Sequence, residues 1–424
     1  MIRFLIKGLV RDRSRSLFPL LTVLTGVTVT VFMQAYMAGI TLNMNESSAT
    51  FGSGHLKVTS RAYAREGDLA SNELAYVGVD RLLGELHDQA PDVMWAPRIR
   101  FGGLLDVPDD RGETRAQAPV VGMGISLLSE DSVDRRLLKL EPSIVRGRMP
   151  ASRGEVLVSD DLASHLGIEP GARATLISST MYGGMATSNF TIAGTVRFGI
   201  RTMDRGTILA DIGDVQATLD MQDATGEILG FFPDAVYRRD VADSLAERLN
   251  ARWEKTDDEF APTVVAMHRQ PGIAELMDYM GLVTTGIVVI FTLMMSIVLW
   301  NAGLIGSLRR YGEIGLRLAF GEDQGRLYRT MIAESLAIGL VGSAVGTLLG
   351  LVPAYWLQSR GFDVAQFMPN SSLMLSNVIR AHITATTFVI GFLPGVLATA
   401  IGTAISGAGV YKRQTASLMK ELEA

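Results

Sequence analysis

Four windows of this chain contain no aspartate, glutamate, lysine or arginine: residues 17–42, 281–308, 335–359 and 381–411. Each exceeds the roughly 20 apolar residues that carry an α-helix across a bilayer. Lipid offers no water to backbone amides, so these windows must be helical. Pro353 and Pro394 fall inside the third and fourth windows and predict kinks there. The first window follows basic residues, as a secretory signal does. Its apolar stretch outruns the roughly 7–15 residues of a signal core, so it is read as a retained helix. Between the first and second windows lies a long polar block, residues 43–280. These windows explain why only 20% of the chain is charged, against about 25% in a soluble protein. A purely soluble enzyme and a disordered chain are excluded. The net charge of -5 gives no general attraction to nucleic acid. With no cysteine, disulfides, thiolate metal sites and cysteine nucleophiles are excluded as well.

Orientation follows from the lysine and arginine bias of the short flanks. Residues 1–16 carry Arg3, Lys7, Arg11, Arg13 and Arg15. The link at 309–334 carries Arg309, Arg310, Arg317, Arg326 and Arg329, and the tail at 412–424 carries Lys412, Arg413 and Lys420. The loop at 360–380 has only Arg360 and Arg380, and residues 43–60 have only Lys57. Both termini and the 309–334 link are therefore expected inside, with 43–280 and 360–380 outside.

The 43–280 block is large enough for one domain or two small ones. Alternation at 55–59 and 189–193 predicts strands. Residues 80–89 and 240–252 predict amphipathic helices, and 160–167 a short helix with an acidic start and a glycine stop. Strands and helices interleave without regular βα units, which predicts an α+β domain. Met181, Tyr182, Gly183, Gly184 and Met185 open a glycine-containing segment, 181–189. It reads as a hairpin loop or as an exposed arm that grips a partner. Residues 271–280 turn helical and should run on into the second window, and the first helix should extend through 41–48. Two such extensions would make a stalk.

The chemistry of the chain is marked by what it lacks. No two of His55, His87, His165, His268 and His382 have the spacing of a helix-borne zinc motif. No GxSxG elbow is present. None of the six lysines follows a glycine, so a Walker A loop cannot be built. Any nucleotide that drives this chain is hydrolysed elsewhere. The windows carry no interior charge of the kind that marks ion and proton pathways. Asn301 is their main strongly polar residue and suggests an interhelical hydrogen bond. Gly342, Gly346 and Gly350 form a GxxxGxxxG ridge in the third window. That spacing lets another helix approach closely, either the fourth span of the same chain or a second subunit.

The link between the second and third windows holds the most specific pattern. Residues 311–320 form a short amphipathic helix, with Ile314, Leu316, Leu318 and Phe320 beside Glu313 and Arg317, ended by Gly321. A basic helix lying on anionic lipid would also fit this pattern. Tyr311, Glu313-Ile314-Gly315, Arg317, Ala319 and Gly321, followed by Glu334-Ser335, resemble the signature of the FtsX-like permeases of ABC transporters, also called the MacB or mechanotransmission class. Phe320 stands where that family usually has leucine. The resemblance extends to Arg146-Gly147-Arg148, Gly154 to Val158, Leu162-Ala163, Leu166-Gly167, Pro170-Gly171, Phe190 to Gly194 and Asp204. It also extends to residues 1–16, which resemble the family's amphipathic elbow. Gly54-His55-Leu56-Lys57-Val58, followed by Tyr63, looks most like the lipoprotein-releasing (Lol-type) permeases.

The resemblance implies a membrane protein with one helix, a large periplasmic α+β domain and three further helices, in a bacterial inner membrane. It implies that the 311–321 segment is a coupling helix that docks into a separate ABC ATPase, present in two copies. No cofactor is implied on this chain; ATP and Mg belong to the ATPase. A second permease subunit, identical or paralogous, and a periplasmic chaperone or adaptor are the further implied partners, with lipid as the surrounding phase and no nucleic acid. Lipoprotein release is the implied function. A MacB-like export subunit and an FtsX-like regulator that transports nothing share the same architecture.

Overall fold

A computed structural model describes residues 13–66, 71–109, 111–254, 258–308, 311–363 and 378–412. Residues 1–12 of the elbow expected at 1–16, Arg309, Arg310, most of the 360–380 loop and the tail beyond Lys412 lie outside the described residues. The chain divides into two units, a membrane unit and an inserted domain covering residues 43–279.

Four helical segments in the membrane unit are long and apolar enough to cross a bilayer: Leu17–Ser53, Ile273–Ile305, Gln324–Arg360 and Ala385–Ala408. The first helix, Arg13–Ser48, passes through Pro19 and gives way to a π-turn, Ala49–Ser53. The second, Ile273–Leu308, starts just past Pro271 and Gly272 and has no break. The third, Gln324–Arg360, begins eleven residues before its charge-free window and continues through Pro353. The fourth is interrupted. A short helix, Ala385–Val389, leads into a π-helical turn, Leu393–Ala398, and then into Thr399–Lys412. Pro394 lacks an amide donor and crowds the preceding turn, and a widened turn relieves that conflict.

The glycine ridge faces the first helix rather than the fourth. A Cβ on Gly342 would stand 2.7 Å from Val23, one on Gly346 2.8 Å from the Leu24 carbonyl oxygen, and one on Gly350 2.7 Å from the Thr28 carbonyl oxygen. Val23, Val27 and Val31 are fully buried against this ridge. The four-residue period of both rows lets ridge and groove interlock. The Thr28 hydroxyl donates to the Gly346 carbonyl, 3.1 Å away. The fourth span packs one turn earlier, where Gly339 meets Gly395 and Thr399. Asn301 lies exposed on the second helix.

The inserted domain is built on ten strands: β1 Leu56–Ser60, β2 Met94–Pro108, β3 Thr114–Ile125, β4 Ile144–Gly147, β5 Glu155–Ser159, β6 Arg173–Ser179, β7 Met185–Val196, β8 Thr207–Asp211, β9 Glu227–Phe231 and β10 Pro262–Ala266. Their order is β10-β1-β9-β2-β3-β8-β5-β7-β4, and β6 bridges β2 and β7. The pairings β2-β3-β8-β5-β7-β6-β2 therefore close a ring. Two of them, β3-β8 and β5-β7, are parallel, and the rest of the ring is antiparallel. All six strands send buried side chains into one core, among them Leu105, Val120, Val158, Leu176, Ile192 and Ile208. Alternation sends Leu157 and Leu209 to the opposite face, into a second cluster with Ile125, Leu140 and Val196.

Strand β2 belongs to two bodies. Its C-terminal half pairs β6 across Gly103 to Asp106, and its N-terminal half pairs β9 across Met94 to Arg98. β10, β1, β9 and the start of β2 form an open sheet. The helices Val79–Gln89 and Arg239–Trp253 pack on it through Leu82, Leu86, Ala246 and Leu249. The architecture is α+β. The open edge at β10 is closed by one side chain: Asn250 accepts from the Val264 amide and donates to the Val264 carbonyl, both at 2.8 Å. A carboxamide in that position reproduces the pairing of a further strand.

The segment at 181–189 is shorter as a loop than its composition predicts. Met185 to Asn189 are paired in β7, register Met185 with Ser179 through Asn189 with Thr175. Only residues 180–184 turn. That turn is pinned by the Met181 amide, which donates to the Leu219 carbonyl at 2.7 Å, and by the buried Met181 side chain. It is a fixed hairpin end, not a free arm. Tyr182 and Met185 remain among the most exposed large apolar side chains of the domain.

Candidate coupling site

The link between the second and third spans folds as a helix, Tyr311–Ala319, a tight turn, and the start of the long third helix. The turn is fixed at both ends. Gly321 has φ +84°, its amide donates to the Leu318 carbonyl, and the Glu322 amide reaches back to the Arg317 carbonyl at 3.1 Å. That pair of bonds closes the helix with a left-handed glycine, which costs other residues strain. Asp323 then caps the next helix, accepting from the Arg326 amide at 2.9 Å.

Ile314 is buried and Leu318 partly buried against Leu327 and Met331 of the third helix. Gly315 is buried beside them. This seats the short helix on the start of the third span. Tyr328 of the same turn lies against Gly407, and its hydroxyl donates to the Ala404 carbonyl at 3.2 Å. The opposite face is open. Leu316, Arg317 and Ala319 are exposed, and Phe320 is 83% exposed. Phe320 is the most exposed large apolar side chain among the described residues. The helix includes Tyr311 and Glu313, whose side chains lie outside the described residues. The exposed face thus brings apolar Leu316 and Phe320 together with the cation of Arg317, on a helix held from behind by Ile314 and Leu318.

Residues 285–415 match the model of the FtsX-like permease C-terminal domain. The match spans the second, third and fourth spans and the helix just described. This part of the chain is an FtsX-like permease domain. Two curated relatives are similar to the chain, each named lipoprotein-releasing system transmembrane protein LolC, from Xylella fastidiosa strains 9a5c and Temecula1. Each is 25% identical over 272 residues, covering 62% of this chain and 61% of the relative. The chain thus matches about three-fifths of the length of these relatives. A solved structure, the periplasmic region of MacB from Actinobacillus actinomycetemcomitans, aligns with TM-score 0.35 and 14% identity, over 55% of this chain and 95% of that chain.

Several family-like residues of the inserted domain make structural contacts. His55 is buried, and its Nδ1 accepts from the Phe232 amide at 3.0 Å. Burial pushes its pKa down to about 4; Asp234 raises it and Arg238 lowers it further. Lys57 pairs with buried Glu227 at 3.1 Å. Arg148 pairs with Glu155 and, by hydrogen bonding, holds that carboxyl at about 2. Arg146 and Arg197 both pair with Asp160. A Cβ at Gly194 would stand 2.7 Å from the Arg148 carbonyl oxygen, so that strand crossing requires glycine. The sequence gives no signal for the exposure of Phe320. Neither Gln270 nor Asn250 stands out by motif, and both act through tertiary contacts alone.

Proposed function

We propose that this chain is the permease subunit of an ABC transporter that releases lipoproteins from the inner membrane. A separate ATPase, present in two copies, holds ATP and Mg and docks on the helix Tyr311–Ala319. The observation that carries the reading is the exposed Leu316, Arg317 and Phe320 face, on a helix fixed from behind by Ile314 and Leu318. A push on that face passes into the third span through Leu327 and Met331. The likeness to two lipoprotein-releasing LolC proteins supports the cargo class. The arginine-rich flanks support a cytoplasmic link and termini, with the inserted domain in the periplasm. A second permease copy or a paralogue completes the complex. Acylated cargo enters sideways between subunits, and the exposed Tyr182 and Met185 at the hairpin end offer an apolar handhold to a chaperone.

The test is reconstitution of the complex in liposomes with a labelled lipoprotein and a soluble acceptor chaperone. ATP should move the label into solution. Phe320→Asp should weaken ATPase binding about 30-fold, as the loss of a hot-spot contact worth roughly 2 kcal/mol predicts, with the melting temperature of the permease unchanged. Intact ATP turnover without transfer would refute lipoprotein release. Undiminished ATPase binding by Phe320→Asp would refute the docking face.

A further inference from the structure

The chain enters the inserted domain on β1 and leaves it on β10, and these strands pair with each other, Leu56 opposite Ala266. Entry and exit therefore lie side by side. On the entry side the π-turn Ala49–Ser53 is followed by Gly54 at φ +60°. On the exit side a single 3-10 turn, Met267–Arg269, leads to Gln270, and the second long helix starts at Ile273.

Gln270 spans the two. It is 3% exposed, and its Nε2 donates to the Ser53 carbonyl at 2.9 Å and to the Val265 carbonyl at 3.3 Å. Its own carbonyl accepts from the Ala274 amide at 2.9 Å, in the first turn of the second helix. Its Oε1 is buried without a partner among the described residues. An apolar side chain of the same size would spare that oxygen but would take away the donor to the Ser53 carbonyl, so the amide is placed for the bond it makes across the two connections. Other side chains hold each connection separately. Arg100 donates to the Gly52 carbonyl at 2.8 Å on the entry side, while Asp243 pairs with Arg269 and His268 on the exit side. To open the β1-β10 ladder from its Leu56–Ala266 end, the Gln270–Ser53 bond must break, followed by the bond from the Met267 amide to the His55 carbonyl at 3.1 Å.

We propose that Gln270 is the positioning residue that makes both long helices drive the inserted domain as one body; the proposal rests on the transport reading above. With the clasp closed, displacement of either helix reaches β1 and β10 together. With it open, the ladder frays from its end, and ATP turnover proceeds without moving the domain.

The experiment uses the full chain with its ATPase and the variant Gln270→Met, which keeps volume and removes the donor. Hydrogen exchange at the Gly54 and Met267 amides should accelerate at least tenfold, with amides of β3 and β8 unchanged. Lipoprotein release per ATP should fall at least fivefold, with ATP turnover within twofold of the parent. In the unmodified chain, Gly54 and Met267 should open with one common free energy, a measurement that needs no variant. Separate openings there, unchanged exchange in Gln270→Met, or uniformly faster exchange across the ring would overturn the clasp. Faster local exchange with undiminished release per ATP would overturn its role in coupling. If the unmodified complex releases nothing, the transport reading fails, and the exchange results still decide the clasp.

Discussion

Glu227→Gln is the sharpest perturbation of the inserted domain. Glu227 is 1% exposed, with Lys57 Nζ at 3.1 Å from one oxygen and Arg100 Nε at 2.9 Å from the other. Burial alone would push its carboxyl upward. The positive charges of Lys57, Arg100 and Arg98 outweigh that and hold it at about 2, against an ordinary 4.5. At 1.36 kcal/mol per tenfold change in proton affinity, that gap is roughly 3 kcal/mol of folding stability. The folded carboxylate holds its proton less tightly than the unfolded one. The stabilisation is therefore complete above pH 4.5 and disappears as the pH falls toward 2. Glutamine keeps the shape, abolishes the titration and removes the buried negative charge that Lys57 and Arg100 face. The assay is denaturant unfolding of the full chain in detergent, followed by the fluorescence of Trp95, which pairs Gly230 next to this cluster. The other three tryptophans, Trp253, Trp300 and Trp356, are replaced by phenylalanine. Glu227→Gln should lose roughly 3 kcal/mol at pH 7 and show a shallower loss between pH 4.5 and 2.5 than the parent. Stability within about 0.5 kcal/mol of the parent at pH 7, or identical acid slopes, would refute the reasoning.

Two more outcomes follow from the geometry. Gly346→Leu should strip the first helix from the third, because a Cβ there already meets the Leu24 carbonyl oxygen and Val27, whereas Gly286→Leu meets nothing within 4 Å and should be neutral; thermal melting of the two variants in the same detergent checks this, and equal effects would contradict the packing. His55→Asn should flatten the pH dependence of stability between 6.5 and 4, since the folded histidine resists protonation until about 4 while the unfolded one takes a proton below about 6.5; an unchanged slope in a pH series of melts would count against the buried neutral ring.

The membrane half was largely legible in the sequence because its signal is local. A run without charge names a span, and Gly321 names the end of the short helix wherever the rest of the chain goes. The acidic first turn at Asp160 and the glycine cap at Gly167 were readable for the same reason. The closed ring was not, because β3 meets β8 and β5 meets β7 across long separations that no window samples. The start of β7 reads as loop, since Ala186, Thr187 and Ser188 are small and follow a glycine pair, and only the facing β6 makes them a strand. The glycine ridge was visible, but its partner was not: glycine records that something approaches closely, and only the valine row at 23, 27 and 31 says what. The two faces of the short helix were half legible, because periodicity gave the amphipathic helix while burial of Ile314 and exposure of Phe320 depend on where Leu327 and Met331 stand.

The double membership of β2 has a consequence for anyone building chimeras between related chains. A crossover within the inserted domain would graft one half of a strand from each parent, and the closed ring and the open sheet would inherit mismatched neighbours along a single backbone. The natural seam lies instead where Leu56 faces Ala266. A graft that exchanges everything between those two positions carries every strand of the ten with its own partners, and leaves both long helices with the recipient.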